Sequence, residues 1–291
     1  MNWMKYKWVY FLLSAFVLVP GIVSLILFGL KPAIDFTGGS LLELKTESAV
    51  DTKEIEQLLV DQGFEVSSVQ ESGKNQVLIR LQPIEKEQAG EIKSIIKEKS
   101  EQEPEEVRFE TVGPTLGKEL IRKTIWAIVL AAGFIMAYVA WRFKDAKFGV
   151  CAILAMFHDT FILLGSFSLL GHFLGIEVDT LFVTAVLTIL SFSVHDTVVV
   201  YDRIRESQKL LPKASFKDLV NKAVTETLSR SVNNSMTIIF MLIALLLLGG
   251  TTIKWFVAAL LIGTIAGTYS STFTAAPLLV VWSQLAERRK K

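Results

Sequence analysis

Hydrophobic and polar positions along this chain are organised on two scales. On the longer scale, extended charge-free runs alternate with short charged stretches. Trp8–Leu30 is 23 residues without an acidic or basic side chain, Thr124–Trp141 lies between Lys123 and Arg142, and Ser231–Ile253 and Trp255–Ala286 are uncharged throughout. Phe148–Ile176 and Thr180–Tyr201 each hold a further apolar run. About 20 consecutive apolar residues cross the hydrocarbon of a bilayer, so the pattern predicts six transmembrane helices. The first run is long for the apolar region of a signal peptide and leads into KPAID (Lys31–Asp35) rather than a small-residue cleavage site, so it reads as an uncleaved span.

The shorter scale appears between the first two spans. SLLELKTE (Ser40–Glu47) alternates with period two, as a strand does, while VDTKEIEQLLVDQG carries Ile55, Leu58 and Leu59 on one helical face. FEVSSVQES and NQVLIRLQ pair as a hairpin across Ser72-Gly73, EKEQAGEIKSIIKEKS is a second amphipathic helix, and EEVRFETV a last strand. The order β-α-β-β-α-β is the ferredoxin-like arrangement. The expected fold class is thus an α-helical polytopic membrane protein with six transmembrane helices and an extracytoplasmic ferredoxin-like α+β domain. Its divisions are 1–30 (N-terminus and first span), 31–120 (the α+β domain), 121–286 (spans two to six) and 287–291 (a basic tail).

Charge gives the orientation. The chain of 291 residues is 51% hydrophobic with mean hydropathy +0.46 and a net charge of only +1, yet Lys31–Glu119 carries 19 acidic and 11 basic residues, a net of −8, against +9 for the remainder. The basic residues flank apolar runs, which argues against nucleic acid as a partner. Lys5 and Lys7, the Arg142–Lys147 loop, the Arg203–Arg230 loop and the ERRKK tail all fall on one side, so the positive-inside rule predicts cytoplasmic termini and an outward-facing acidic domain. Cys151 is the sole cysteine and lies in an apolar run, which excludes intrachain disulfides and cysteine-based metal sites.

Two apolar runs contain charge that hydrocarbon disfavours. An ionisable side chain at the centre of a span costs roughly 2.5–3.5 kcal/mol on insertion scales. His195 and Asp196 interrupt the fourth run, with Asp196 about five residues, roughly 7–8 Å, from its cytoplasmic end. Arg230, Asn233, Asn234 and Thr237 share one face at the start of the fifth and reach the same depth. An Asp196–Arg230 pair would offset both charges, and protonating Asp196 would release Arg230, a basis for a proton-driven switch; the plain alternative is a static pair locking two helices. Asp159, preceded by His158, lies roughly 16 Å into the third span and reads either as a second proton station or as a hydrogen-bonded helix tether. No HExxH, P-loop, GxGxxG or GxSxG pattern occurs, and adjacent His-Asp pairs splay about 100° apart on a helix, so neither a metal site nor a cofactor is expected.

Five stretches in this order, IDFTGGSLLEL (34–44), VGPTLGKEL (112–120), FHDTFILLG (157–165), HDTVVVYDRIRE (195–206) and LIGTIAGTYSSTFTAAPLLVVW (261–282), resemble the SecD/SecF family of bacterial translocase subunits. The resemblance implies a six-span half of an RND-type transporter that is not an enzyme. It also implies the bacterial cytoplasmic (inner) membrane and use of the proton gradient to promote late steps of protein translocation through the SecYEG channel. SecD would supply the other half, YajC is a further candidate companion, and unfolded secretory polypeptides are the substrates. By motif, Asp196 is the proton-responsive carboxylate and Arg230 its partner, Asp159 belongs to the HD motif, and Asp35 with Gly38 and Gly39 forms a structural hinge. Many members of that family carry Asn where this chain has His195, so His195 would modulate the pH response or, as a neutral imidazole, replace an amide hydrogen bond. The alternatives are half of another RND-like exporter of lipid or small molecules, a membrane-embedded metal enzyme, or a purely structural assembly factor.

Overall fold

The computed structural model describes residues 2–46, 51–73, 75–100, 103–143 and 145–288. Glu47 at the end of the first expected strand, Lys144 and the last three residues of the basic tail lie outside them. The chain divides into two compact units, residues 32–125 and residues 1–31 with 126–291.

In the first unit a short helix α2 (Ile34–Thr37) leads into β1 (Gly39–Lys45), followed by α3 (Thr52–Asp61), β2 (Val66–Gly73), β3 (Gln76–Leu81), α4 (Lys86–Ser100) and β4 (Glu105–Val112). The order β-α-β-β-α-β is the one expected, and the sheet is antiparallel with strand order β2-β3-β1-β4. The hairpin reverses later than the sequence suggests, since β2 runs through Ser72 to Gly73 and β3 begins at Gln76; Asn75, just before it, takes a φ of 58° that Asn tolerates better than most side chains. Leu42 and Leu44 of β1 and Ile79 of β3 face Ile55 and Leu59 of α3 and Ile92 of α4, all buried. Alternation in the strands meets the apolar stripes of both helices, and that burial is the domain's core. Glu43 points the other way, is buried, and lies opposite Arg108 in the register.

The two ends of this domain close on each other. Val112 pairs with Gly39. Gly38 has φ 75° and ψ 165°, a region essentially confined to glycine, and a Cβ there would sit 2.8 Å from Pro114 Cα. Gly117 is equally constrained, since its Cβ would lie 2.8 Å from the Phe36 carbonyl oxygen. The two glycine-bearing motifs, DFTGG and VGPTLG, are therefore two sides of one contact.

The second unit holds α1 (Lys7–Leu27) behind a 3-10 turn (Trp3–Tyr6), most of α5 (Pro114–Arg142), α6 (Ala146–Leu174), α7 (Thr180–Leu210), α8 (Phe216–Leu248), α9 (Thr251–Ser270), a π-helical turn (Ser271–Ala275) and α10 (Ala276–Arg288). Six helices are long and apolar enough to cross a membrane, the last being α9, the π turn and α10 in one continuous run. Side-chain caps fix the starts: Asp145, Asp179 and Ser215 accept the backbone N–H of Lys147, Phe182 and Asp218. Pro277 accounts for the π turn, because it cannot donate to the Phe273 carbonyl and its ring crowds that oxygen, which a wider turn relieves. The Arg203–Arg230 loop is mostly helical, with only residues 211–215 joining α7 to α8.

Small residues set the packing. A Cβ on Gly165 of α6 would lie 2.5 Å from Gly21 Cα of α1, and one turn further Ser24 and Ser168 share a hydrogen bond of 2.8 Å. Beyond them Phe28 stacks on His172 with ring centroids 3.7 Å apart. Gly263 and Gly267 of α9 lie against Ile189 and Phe192 of α7, the close helix approach their GxxxG spacing suggests.

Gly38→Ala should lower the stability of the α+β domain by about 1–3 kcal/mol, since the side chain meets both a forbidden dihedral region and the Pro114 backbone. Thermal unfolding of the purified protein checks this: an unchanged melting profile would mean that the neck relaxes at no cost.

Candidate functional site

Helices α6, α7, α8 and α9 meet around two aspartates that hydrocarbon would not otherwise tolerate. Asp159, on α6, is wholly buried (0% exposed). Its Oδ2 accepts Ser193 Oγ of α7 at 2.5 Å and Ser270 Oγ of α9 at 2.5 Å, and His158 Nδ1 lies 2.9 Å from its Oδ1. Asp196, on α7, is 7% exposed. Ser231 Oγ of α8 lies 2.7 and 2.6 Å from its two oxygens, and Ser271 Oγ of the π turn donates to Oδ2 at 2.5 Å. Each carboxylate thus draws hydroxyls from two neighbouring segments. Hydroxyls suit this task because they stay in apolar helices by bonding their own backbone when no better acceptor is near.

The expected Asp196–Arg230 pair does not form. Among the described residues no ion pair joins them; Arg230 is exposed, and the next residue, Ser231, is buried and meets Asp196 instead. Consecutive helical residues diverge by about 100°, so only one of the two can face α7. Arg230 lines an open groove of about 480 Å³ with Asp202, Arg203, Glu206 and Glu226. There Arg203 donates to Glu226 at 2.7 Å and to Glu206 at 2.6 Å, and Arg142 pairs with Asp202. Within YDRIRE, Tyr201 and Ile204 are buried, and the Tyr201 hydroxyl donates to the Ala275 carbonyl at 3.0 Å.

His195 is exposed, as are Arg230, Asn233, Asn234 and Thr237, the face expected to be polar. On α7, Thr184, Thr188 and Ser191 continue the same exposed side above His195. Two adjacent spans thus present polar side chains outward. Asp35, Gly38 and Gly39 belong to the neck of the other unit. Among the described residues no three of His, Cys, Asp and Glu gather as metal ligands.

The residues that sequence reasoning missed are Ser193, Ser231, Ser270 and Ser271, and the contact of His158 with Asp159. Each serine is legible in SFSVHD, SRSVNN or TYSS, but a serine in a span is ordinary, and no periodicity marks which one will face an acid.

With this arrangement in view, comparison with known proteins decides the family. The family model described as "Protein export membrane protein SecD/SecF, C-terminal" matches residues 91–285, and that of the "SecD/SecF GG Motif" matches residues 23–50. The chain belongs to the SecD/SecF family. A protein translocase subunit SecF of Thermobaculum terrenum is 42% identical over 96% of this chain and 92% of its own length. The SecDF protein of Thermus thermophilus is 38% identical over 90% of this chain, which spans only 35% of that longer protein. The crystal structure of a Thermus SecDF superposes with a TM-score of 0.87 at 35% identity, covering 98% of this chain and 39% of that one. A second SecDF structure, in a super-membrane-facing form, gives 0.70 at 34% identity. The SecD/SecF chain is a multi-pass membrane protein of the protein translocase; the matched residues 91–285 include Asp159 and Asp196, and the matched residues 23–50 include Asp35, Gly38 and Gly39.

Asp196→Asn should fold and pack as the parent does, because the amide oxygen still accepts from Ser231 and Ser271. Asp196→Leu leaves two buried hydroxyls to find other acceptors and should lower stability by about 1–3 kcal/mol. Thermal aggregation of the detergent-purified variants separates the two, and equal midpoints would show that the hydroxyl contacts contribute nothing.

Proposed function

We propose that this chain is the proton-responsive half of a SecD–SecF complex that uses the proton gradient to promote late steps of translocation through SecYEG. The observation that supports it is the pair of buried carboxylates held by hydroxyls from neighbouring helices. An ionised Asp196 accepts from Ser231 and Ser271; a protonated one must donate, so loading a proton reverses at least one bond between α7 and its neighbours. In a low-dielectric interior such a change carries more weight than in water. Asp159 is the second station, with His158 orienting it and able to exchange protons with it. The absence of an internal ion pair changes the role of Arg230. It acts outward, beside Asn233, Asn234 and Thr237, rather than as the counter-ion released from Asp196.

That outward face supports the choice of partner. An arginine and a row of amides and hydroxyls on lipid-facing spans would be costly, so another protein covers them. The SecDF relatives carry a matching segment within a chain more than twice as long, and SecD is the separate counterpart of the remainder. His195 lies on this face and modulates the pH response from the interface. Asp35, Gly38 and Gly39 are the joint through which the outer domain follows the first span. The termini are cytoplasmic, the membrane is the bacterial inner membrane, and unfolded secretory chains, the SecYEG channel and YajC are the further partners.

The test compares gradient-dependent completion of export in proteoliposomes holding SecD and SecYEG with the parent or Asp196→Asn. Loss of the gradient-dependent part, by tenfold or more (about 1.4 kcal/mol or above in coupling), with assembly intact is the expected result. Undiminished export would return Asp196 to the role of a helix tether.

A further inference from the structure

Both carboxylates are read by one peptide unit. Ser270 and Ser271 are consecutive, both wholly buried, and stand where α9 gives way to the π turn. Ser270 turns to Asp159 on α6 and Ser271 to Asp196 on α7, each at 2.5 Å. Each hydroxyl also has a second acceptor in its own helix. Ser270 Oγ lies 3.2 Å from the Gly267 carbonyl oxygen, and Ser271 Oγ lies 3.1 Å from that of Thr268. A hydroxyl placed between a carboxylate and a carbonyl can answer a change in the acid by turning its hydrogen from one acceptor to the other. Facing an ionised acid it donates to the carboxylate. Facing a protonated acid it accepts the acid's O–H and turns its own hydrogen to the carbonyl.

We infer that Ser270 and Ser271 couple the protonation of Asp159 to that of Asp196, so that the two acids titrate as one unit. This rests on the proposed reading of the acids as proton carriers. The two hydroxyls project from consecutive residues of one turn toward different helices, so a shift of that turn changes both contacts at once. Neutralising Asp159 weakens its hold on Ser270 and lets Ser271 settle on Asp196, which favours the ionised form of Asp196. Removing the negative charge of Asp159 acts in the same direction through space.

Few other titratable groups surround the pair. His158 touches Asp159; His195 is exposed beside Asp196 on α7; Arg230 is exposed beside Ser231 on α8. Tyr201 of α7 donates to the Ala275 carbonyl of the π turn, Tyr269 of α9 donates to the Tyr10 carbonyl of α1 at 2.8 Å, the π turn itself contributes none, and Glu287 and Arg288 stand at the far end of α10. Orphaned hydroxyls at Thr197 and Thr272, buried and without a protein partner, flank Asp196 and Ser271 in sequence.

The experiment is an infrared titration of the full chain in lipid nanodiscs. The carbonyl stretch of protonated Asp196 is assigned by its loss in Asp196→Asn. With both serines present, Asp159→Asn should lower the midpoint of that band by about one pH unit, the scale at which two sites titrate jointly. In the Ser270→Ala/Ser271→Ala background about half of that shift or more should vanish, and Ser270→Thr/Ser271→Thr should restore it. Should the double alanine variant fail to fold, Ser270→Ala alone carries the same expectation. An Asp196 band that never titrates, that ignores Asp159→Asn, or whose shift survives the loss of the hydroxyls overturns the inference. Coupled titration with export that ignores the gradient supports it while sinking the proposed function, because the infrared band reports protonation without transport.

Discussion

Hydrocarbon offers a buried carboxylate no water, and the membrane unit is organised around that fact. Each aspartate must receive its hydrogen bonds from other helices, and a hydrogen bond to a charged group contributes about 1.5–3 kcal/mol. Two hydroxyls per acid are therefore of the same order as the roughly 2.5–3.5 kcal/mol that an unpaired charge costs on insertion scales. The small residues of the bundle serve the same end: hydroxyls reach across helices only when backbones approach closely, as Gly263 and Gly267 let α9 approach α7.

How far the chain announces this depends on the kind of signal. The spans were legible because a bilayer demands a length of apolar sequence that little else produces. The α+β domain was legible because period two and period 3.6 alternate cleanly between Ser40 and Val112. The acids themselves stood out, since charge in an apolar run is rare. Their partners did not. Arg230 attracted attention by its charge and its depth, yet it turns outward, and a step of one residue gives the inward position to Ser231. Depth can be read from a count of residues, but azimuth depends on how neighbouring helices rotate against one another, which is a tertiary property. The π turn is a similar case: Pro277 hints at irregularity, but not at the form it takes.

The domain between the first two spans poses a different problem. Its neck is built from glycines whose role is to be absent: Gly38 and Gly117 leave room for backbone where any side chain would collide. The motif DFTGG thus has a steric meaning that needs no ligand. Its second half is met only when VGPTLG arrives, some seventy residues later in the chain.

That separation has a consequence for how the protein is made. β1 lies between β3 and β4, and β4 is the last strand to be synthesised. Until residues 105–117 emerge, β1 presents an unpaired edge beside exposed glycines, a template for pairing with other chains. Long-range pairing of this kind is slow, because the intervening loop must close first. The interval between synthesis of the first span and the start of the second is therefore the window in which this protein is most open to misassembly. A chaperone able to cover one short strand for that interval would be enough to protect it.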